Sequence, residues 1–200
     1  MLPRYELEIL TRALLRARSA DDDVEEPARA AVAIVLREPA PGAEVEVLFI
    51  RRAERAGDPW SGHIAFPGGR RDDADASLFD TAVRETFEEV GLRLQEHATL
   101  LVRLPDMAAR AKGKRLSFAI APYVFALRDR DVDLALDERE VAEVIWYPLG
   151  ALARGERRGT KTIEVGSERY ELPTALVGEH VLWGLTYAML DNLLELLHAD

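Results

Sequence analysis

Apolar residues along the chain fall into runs of strand length, separated by polar segments rich in glycine and proline. Nearly continuous apolar runs are typical of strands that are buried on both faces. Such runs lie at 28–36, 45–50, 64–66, 98–104 and 116–127. A short hairpin is expected where residues 160–165 and 169–172 flank a Gly-Ser turn. The polar, basic segment 105–115 is expected to form a long hairpin loop.

Apolar residues at helical spacing predict four helices, at 4–18, 75–90, 148–154 and 179–197. The first is amphipathic, with Leu7, Leu10, Leu14 and Leu15 on one side, and we expect it to pack on the domain or on a second subunit. The acidic segment 19–27 has the composition of a linker. The chain is therefore expected to divide into an N-terminal helix with its linker, residues 1–27, and one larger domain, residues 28–200.

The helix expected at 75–90 has two chemically different faces. A wheel at about 100° per residue places six residues on the side expected to meet the core: Phe79, Ala82, Val83, Thr86, Phe87 and Val90. Glu85, Glu88 and Glu89 project together on the other side, and Gly91 supplies a residue suited to ending the helix. Carboxylates this close repel one another, and a hard divalent cation would offset the repulsion. A solvated acidic face is the alternative interpretation.

Magnesium fits the acidic face because Mg²⁺ commonly takes one or two carboxylates together with substrate phosphates. Glu85 and Glu89 lie one helical turn apart and can reach the same ion. A backbone carbonyl from the preceding glycine pair, at Gly69, could complete the protein's share of ligands. Glu88 could bind a second ion or take a proton from a bound water. The expected cofactor is Mg²⁺ or Mn²⁺.

This stretch of the chain resembles the signature of the Nudix hydrolases. The family's usual form is G-x5-E-x7-R-E-U-x-E-E-x-G-U, where U is a large aliphatic residue; here the sequence from Gly69 to Leu92 reads G-x5-D-x8-R-E-T-x-E-E-x-G-L. Asp75 replaces the first glutamate, one extra residue precedes the arginine, and Thr86 stands at the first U position. The resemblance implies a Nudix α/β/α sandwich, in which a mixed β-sheet lies between helices.

Further segments resemble the coenzyme A pyrophosphatase branch of that family. SGHIAFPGG at 61–69 is similar to the branch's G-Q-I-A-F-P-G-G, and W-G-x-T at 183–186 to its C-terminal helix. The branch also has an upstream T-x-R-S element and a later H-x-G-Q. In this chain Trp60 stands near the expected histidine, and His63 replaces the expected glutamine. We expect Trp183 and Tyr187 to be core residues.

The resemblance implies metal-assisted hydrolysis of the diphosphate bond in a nucleoside diphosphate-X substrate. Coenzyme A or a derivative, cleaved to 4′-phosphopantetheine and adenosine 3′,5′-bisphosphate, is the first hypothesis. ADP-ribose, an NDP-sugar or a dinucleotide is the alternative substrate. A Nudix domain that only binds nucleotides or proteins is the alternative from another class, although such a module is expected to have lost glutamates that this chain retains.

The remaining roles also follow the resemblance. Arg84 is expected to orient a glutamate of the motif through a charged hydrogen bond. Glu88 or Glu140 is the candidate proton acceptor, and Glu138 and Glu143 are rivals of Glu140. Candidate substrate contacts are Arg52, His63, Phe66, Gly68, Arg110 and Lys114. A structural role is an equal alternative for His63, and plain exposure is the alternative for the two loop cations at 110 and 114.

The composition of the chain limits the classes of partner that it is expected to bind. A net charge of −10 argues against broad nucleic-acid binding, which needs a basic face, and leaves a small nucleotide as the expected partner. The chain has no cysteine, which excludes disulfides and thiol catalysis and is consistent with a reducing cytoplasm. The longest apolar run, 116–127, is too short to span a membrane. The amphipathic N-terminal helix would also suit a homodimer.

Overall fold

The structure, a computed structural model, describes residues 6–17, 28–57, 60–111, 114–165 and 167–198. The helices are α1 (Leu7–Arg16), α2 (Leu78–Val90), α3 (Leu94–His97), α4 (Leu149–Ala153) and α5 (Gly184–His198). The strands are β1 (Ala28–Arg37), β2 (Glu46–Arg52), β3 (Ile64–Ala65), β4 (Gly68–Arg70), β5 (Ala98–Arg103), β6 (Met107–Ala111), β7 (Lys114–Leu127), β8 (Val141–Pro148), β9 (Arg158–Val165), β10 (Glu168–Val177) and β11 (His180–Trp183).

The main sheet is mixed and is organised around β1. Strand β1 pairs in parallel with β7 and antiparallel with both β2 and β4. The order along the sheet is β3-β2-β1-β7-β5, with β8 paired to β2 and β6 paired to β7. Strand β1 is covered on both faces, which explains why its sequence is apolar almost throughout.

Helices cover both faces of this sheet. Ala31, Ala33 and Val35 of β1 lie in the core cluster that includes Ala82 and Val90 of α2. The intervening residues of the same strand, including Ile34, lie in a second cluster, which also contains leucines of α1 and α5. Because successive side chains of a strand point to opposite faces, the two clusters lie on opposite sides of the sheet. The α/β/α sandwich with a mixed sheet is confirmed.

A second, three-stranded antiparallel sheet has the order β11-β10-β9. Its β9–β10 hairpin confirms the predicted one. The segment expected to begin the last helix is instead strand β11, which pairs along β10, and α5 begins at Gly184. The predicted loop 105–115 was also wrong in part, because β6 forms there and pairs with the start of β7. Both errors concern strands that are stabilised by a partner strand rather than by their own periodicity.

Helix α1 packs on the domain through Leu10 and Leu14, which are buried in the cluster on the α5 side of the sheet. Leu15, expected on the same apolar side, is exposed. The acidic segment 19–27 lies outside the described residues. Within the described ranges, every helix is too short or too polar to cross a membrane.

Candidate active site

Helix α2 is bounded by two local signals. At its start the Ser77 hydroxyl accepts a hydrogen bond from the backbone N–H of Asp80, so the helix begins at Leu78 rather than at residue 75. At its end Gly91 takes a left-handed conformation (φ 72°) and its N–H donates to the carbonyl of Phe87. The backbone N–H of Asp137 donates to the Glu89 carbonyl at 3.1 Å, which ties the segment before β8 to the same end of the helix.

The structure corrects two positions on the helical wheel. Phe87, expected on the core, is 44% exposed, and the guanidinium of Arg93 lies over its ring at 4.8 Å. Glu89, expected on the acidic outer face, is only 2% exposed. The α2 face that meets the sheet is therefore turned toward Glu89, and one of the three carboxylates is buried.

The glycine pair of β4 lies directly against the carboxylates of Glu85 and Glu89. The N–H of Gly68 donates to Oε2 of Glu89 at 2.8 Å. Gly68 has φ +152°, and a Cβ there would lie 2.3 Å from the carbonyl oxygen of Ala31 on β1. At Gly69 a Cβ would lie 2.5 Å from both Cδ and Oε1 of Glu85. Glycine at 68 lets β4 pack against β1, and glycine at 69 leaves room for the Glu85 carboxylate.

Gly69→Ala should therefore lower turnover by about 10- to 100-fold while leaving the core intact, because the Glu85 carboxylate must move away from β4 and a misplaced site group costs rate steeply. Steady-state kinetics and thermal unfolding would measure the two effects. Gly57→Ala is a suitable control, since a Cβ there meets nothing within 4 Å, although its own backbone is left-handed. Full activity in the Gly69→Ala variant would contradict the importance of this contact.

The guanidinium of Arg84 links three carboxylates, those of Asp75, Glu85 and Glu88. Its Nε and Nη2 donate to the two oxygens of Asp75, each at 2.9 Å, and Nη1 donates to Glu85 and Glu88, each at 2.9 Å. Nη2 also donates to the carbonyl of Arg70 at 3.0 Å. The hydrogen bonds from Arg84 hold the pKa of Asp75 well below its usual range. Arg84 thus orients glutamates of the motif, and Asp75 orients Arg84.

The two carboxylates nearest the glycines are destabilised as anions. The pKa of Glu89 is raised to about 8, chiefly by burial; the charges of Glu85 and Glu140 contribute to the rise, whereas the Gly68 N–H and the charge of Arg52 oppose it. Burial also raises the pKa of Glu85, against the hydrogen bond from Arg84. A cation placed between the two carboxylates would favour their charged forms.

Glu140 is close enough to this pair for its charge to act on both glutamates. Its charge raises the pKa of both Glu85 and Glu89, and its carboxylate lies 3.5 Å from Nη2 of Arg55. Of its rivals, Glu143 is engaged elsewhere, with Arg51 at 3.3 Å and His180 at 3.1 Å. Glu138 and Glu140 both lie exposed in the turn before β8, and of the two it is Glu140 whose charge acts on Glu85 and Glu89. The structure therefore brings Glu140 to the motif glutamates.

The structure gives the surroundings of some candidate substrate contacts and leaves others undescribed. Phe66 is 2% exposed and its ring stacks on Phe49 with centroids 5.1 Å apart, so its side chain belongs to the core, and a substrate contact at this residue stays a prediction. Arg110 and Lys114 lie in the paired strands β6 and β7, and their side chains fall outside what the structure describes. The ring of His63 meets the edge of Trp183, with centroids 5.0 Å apart.

The acidic cluster fits a divalent cation that also binds substrate phosphates. Among the described residues, no three Asp, Glu or His side chains gather as a complete metal cage, and Arg84 donates hydrogen bonds to both Glu85 and Glu88. Two carboxylates suffice for Mg²⁺ when phosphates supply further ligands. Glu85 and Glu89 are the pair suited to it: both have a raised pKa, Glu85 lies where a Cβ on Gly69 would intrude, and Glu89 accepts the N–H of Gly68.

Comparison with known proteins identifies the family of this chain. The family profile of the NUDIX domain matches residues 27–164. Human mitochondrial coenzyme A diphosphatase NUDT8 is 34% identical over 154 residues, which cover 76% of this chain and 62% of that protein. The mouse protein of the same name is 31% identical, with 76% and 70% covered.

A solved structure also matches the fold. The Nudix hydrolase of Alicyclobacillus acidocaldarius superimposes with a TM-score of 0.51 at 18% identity, over 86% of this chain and 93% of that one. The chain spans less than two thirds of the human relative's length. With the family profile matching more than half of its length and the motif glutamates brought together on α2, the chain belongs to the Nudix family of pyrophosphohydrolases.

Proposed function

We propose that the chain hydrolyses the diphosphate bond of coenzyme A or a derivative, releasing 4′-phosphopantetheine and adenosine 3′,5′-bisphosphate. The observation that carries the hydrolysis is the pair Glu85 and Glu89, one partly buried and one buried, which lie against the glycines of β4 and are destabilised as anions. The choice of coenzyme A is supported by the similarity of the chain to the human and mouse relatives, which are named as coenzyme A diphosphatases. The cysteine-free sequence supports a reducing compartment such as the cytoplasm.

Glu85 and Glu89, with the carbonyl of Gly69, would hold the divalent cation, Mg²⁺ or Mn²⁺, that Nudix hydrolases generally use. Bound there, the cation would act as a Lewis acid that offsets the charge of the diphosphate. The chain's own contribution is to place two carboxylates at a fixed separation on one turn of α2. Arg84 does not need to touch substrate in this scheme, because its donors are taken by Asp75, Glu85, Glu88 and a backbone carbonyl.

Glu140 is our candidate for the base that takes a proton from the attacking water. Its charge acts on both buried glutamates, and its contact with Arg55, at 3.5 Å, is loose. Glu88, the alternative, receives a 2.9 Å hydrogen bond from Arg84. Arg84 thus holds the Glu88 carboxylate in place, whereas the contact of Glu140 with Arg55 is looser, which favours Glu140 for this step.

A second candidate substrate class is ADP-ribose, an NDP-sugar or a dinucleotide. Trp60 and His63 depart from the coenzyme A pattern, and His63 contacts Trp183 on the second sheet. The same glutamates would perform the hydrolysis. A purely binding role fits less well, because Glu85, Glu88 and Glu89 are all retained and Arg84 and β4 hold each of them in place.

Product analysis by mass tests both substrate classes. The protein would be incubated with Mg²⁺ or Mn²⁺ and a competing mixture of coenzyme A, ADP-ribose, NADH and diadenosine polyphosphates, with the Glu89→Gln variant as the blank. We expect phosphopantetheine to appear first. AMP from ADP-ribose or the dinucleotides, with coenzyme A intact, would move the substrate to the second class. No product from any of them would refute hydrolysis.

A further inference from the structure

A lysine and a tryptophan share one face of the second sheet. Lys161 on β9 lies opposite Leu172 of β10, and Trp183 on β11 lies opposite Thr174 of the same strand. Residues 172 and 174 are two apart, so both pairs project from the same face. The Nζ of Lys161 lies over the Trp183 ring, 3.9 Å from its centroid. Ala175 and Leu182, on the opposite face, belong to the core.

The surroundings of Lys161 suit the binding of an anion from outside the chain. The chain carries 36 acidic residues against 26 basic ones, yet within the described ranges Lys161 makes no ion pair with a carboxylate. Its ammonium is instead held over an aromatic face, a contact weaker than a charged hydrogen bond to phosphate. The side chain is half-buried, so its position is restricted before any ligand arrives.

This pair adjoins the active site through His63. The His63 ring contacts the edge of Trp183, and its carbonyl accepts a 3.0 Å hydrogen bond from the backbone N–H of Arg52. The charge of Arg52 in turn acts on the buried Glu89. The second sheet therefore adjoins the main sheet at His63, beside the strand whose Arg52 acts on the motif glutamate.

We propose that Lys161, positioned by Trp183, binds a phosphate monoester carried on the nucleoside part of the substrate. The inference rests on the proposed function, in which the leaving nucleotide is a 3′,5′-bisphosphate. In this proposal the second sheet distinguishes phosphorylated from unphosphorylated nucleosides, and the glutamates of α2 carry out the hydrolysis. Trp183 is a positioning residue, since it acts through the lysine.

Calorimetric titration with adenosine 3′,5′-bisphosphate and with AMP tests the proposal without requiring turnover. The wild type should bind the bisphosphate about tenfold more tightly, the difference expected for one charged hydrogen bond. Lys161→Gln should abolish that difference, and Lys161→Arg should retain it. Arg169→Gln is the matched control, because Arg169 lies on the same hairpin, on the opposite face, in an exposed ion pair with Glu164.

Turnover of coenzyme A and of its 3′-dephospho form would be measured on the same variants. A tenfold loss confined to the phosphorylated substrate in Lys161→Gln is the expected result. If the wild type hydrolyses coenzyme A but Lys161→Gln keeps the full preference in both assays, the inference fails and the proposed function stands. If coenzyme A is not hydrolysed but the bisphosphate preference depends on Lys161, the phosphate site stands and the substrate assignment fails.

Discussion

Replacing Glu89 by glutamine is expected to abolish turnover and, in the same molecule, to stabilise the metal-free protein above neutral pH. Glutamine can still accept the hydrogen bond from Gly68 but cannot supply the charge that a divalent cation requires. We expect kcat to fall by about 10³-fold, since metal ligation supplies several kcal/mol and each factor of ten is about 1.4 kcal/mol.

The stability change follows from the sign of the pKa shift. Folding raises the pKa of Glu89 from an ordinary 4.5 to about 8, mainly through burial. Stability from this group is therefore fully present below about pH 4.5 and is lost as the pH rises through about 8. Glutamine has no such loss, so the variant should be equal to wild type in acid and more stable by a few kcal/mol at pH 9.

Urea denaturation in EDTA at pH 5, 7 and 9 would measure the difference. Adding Mg²⁺ should raise the stability of the wild type and leave Glu89→Gln unchanged. Glu179→Gln, which alters an exposed carboxylate in a turn, serves as the control for the general loss of one negative charge. Equal stability of wild type and Glu89→Gln at pH 9 would contradict the burial of an unfavourable charge in the site.

Arg84→Lys should reduce both activity and stability, although it conserves the charge. A lysine cannot reproduce the paired hydrogen bonds to Asp75 and still reach Glu85 and Glu88. Asp75 would then be a buried carboxylate with weakened partners, at a cost of about 2–3 kcal/mol after allowing for the partial exposure of Arg84. The expected loss in kcat is about 10- to 100-fold. KM should change little, because Arg84 orients a glutamate proposed to bind the metal and does not contact the substrate.

A double-mutant cycle with Asp75→Asn would test whether the two residues act as one unit, in which case the losses will not add. The pKa of Asp75 is depressed, so its stabilising contribution is present above its ordinary value of 3.8 and is lost as the pH falls below it. The deficit of Arg84→Lys should accordingly shrink in acid. Arg93→Lys, an exposed pair with Glu96, is the control. Additive losses at pH 7 would contradict the coupling.

The parts of the fold that could be predicted are those determined by local pattern. The strand at 28–36 is apolar because both its faces are covered, and the long spacing of the Nudix motif requires many residues at once. Strand β11 could not be predicted, because Val181 to Trp183 continue the apolar spacing of α5 and become a strand only by pairing with β10.

The residues of the site also divide into those that the sequence predicts and those that depend on tertiary contacts. The sequence identifies the motif glutamates but cannot rank their burial, since a helical wheel does not show which side of α2 the glycines of β4 approach. Glu89 is buried because Gly68 and the segment around Asp137 enclose it. The contact between Lys161 and Trp183 had no signal in the sequence, because it depends on the register of three strands and on a strand that was predicted as a helix.

The parallel pairing of β1 with β7 has a consequence for how the chain matures during synthesis. Residues 28–37 emerge from the ribosome long before 114–127, so the growing chain carries α2 and all the motif glutamates while one edge of β1 is still open. Pairings this distant in sequence form slowly, and an open apolar edge invites pairing with other chains. A nascent chain that stops before β7 therefore contains the complete motif but lacks the strand that closes the edge of β1.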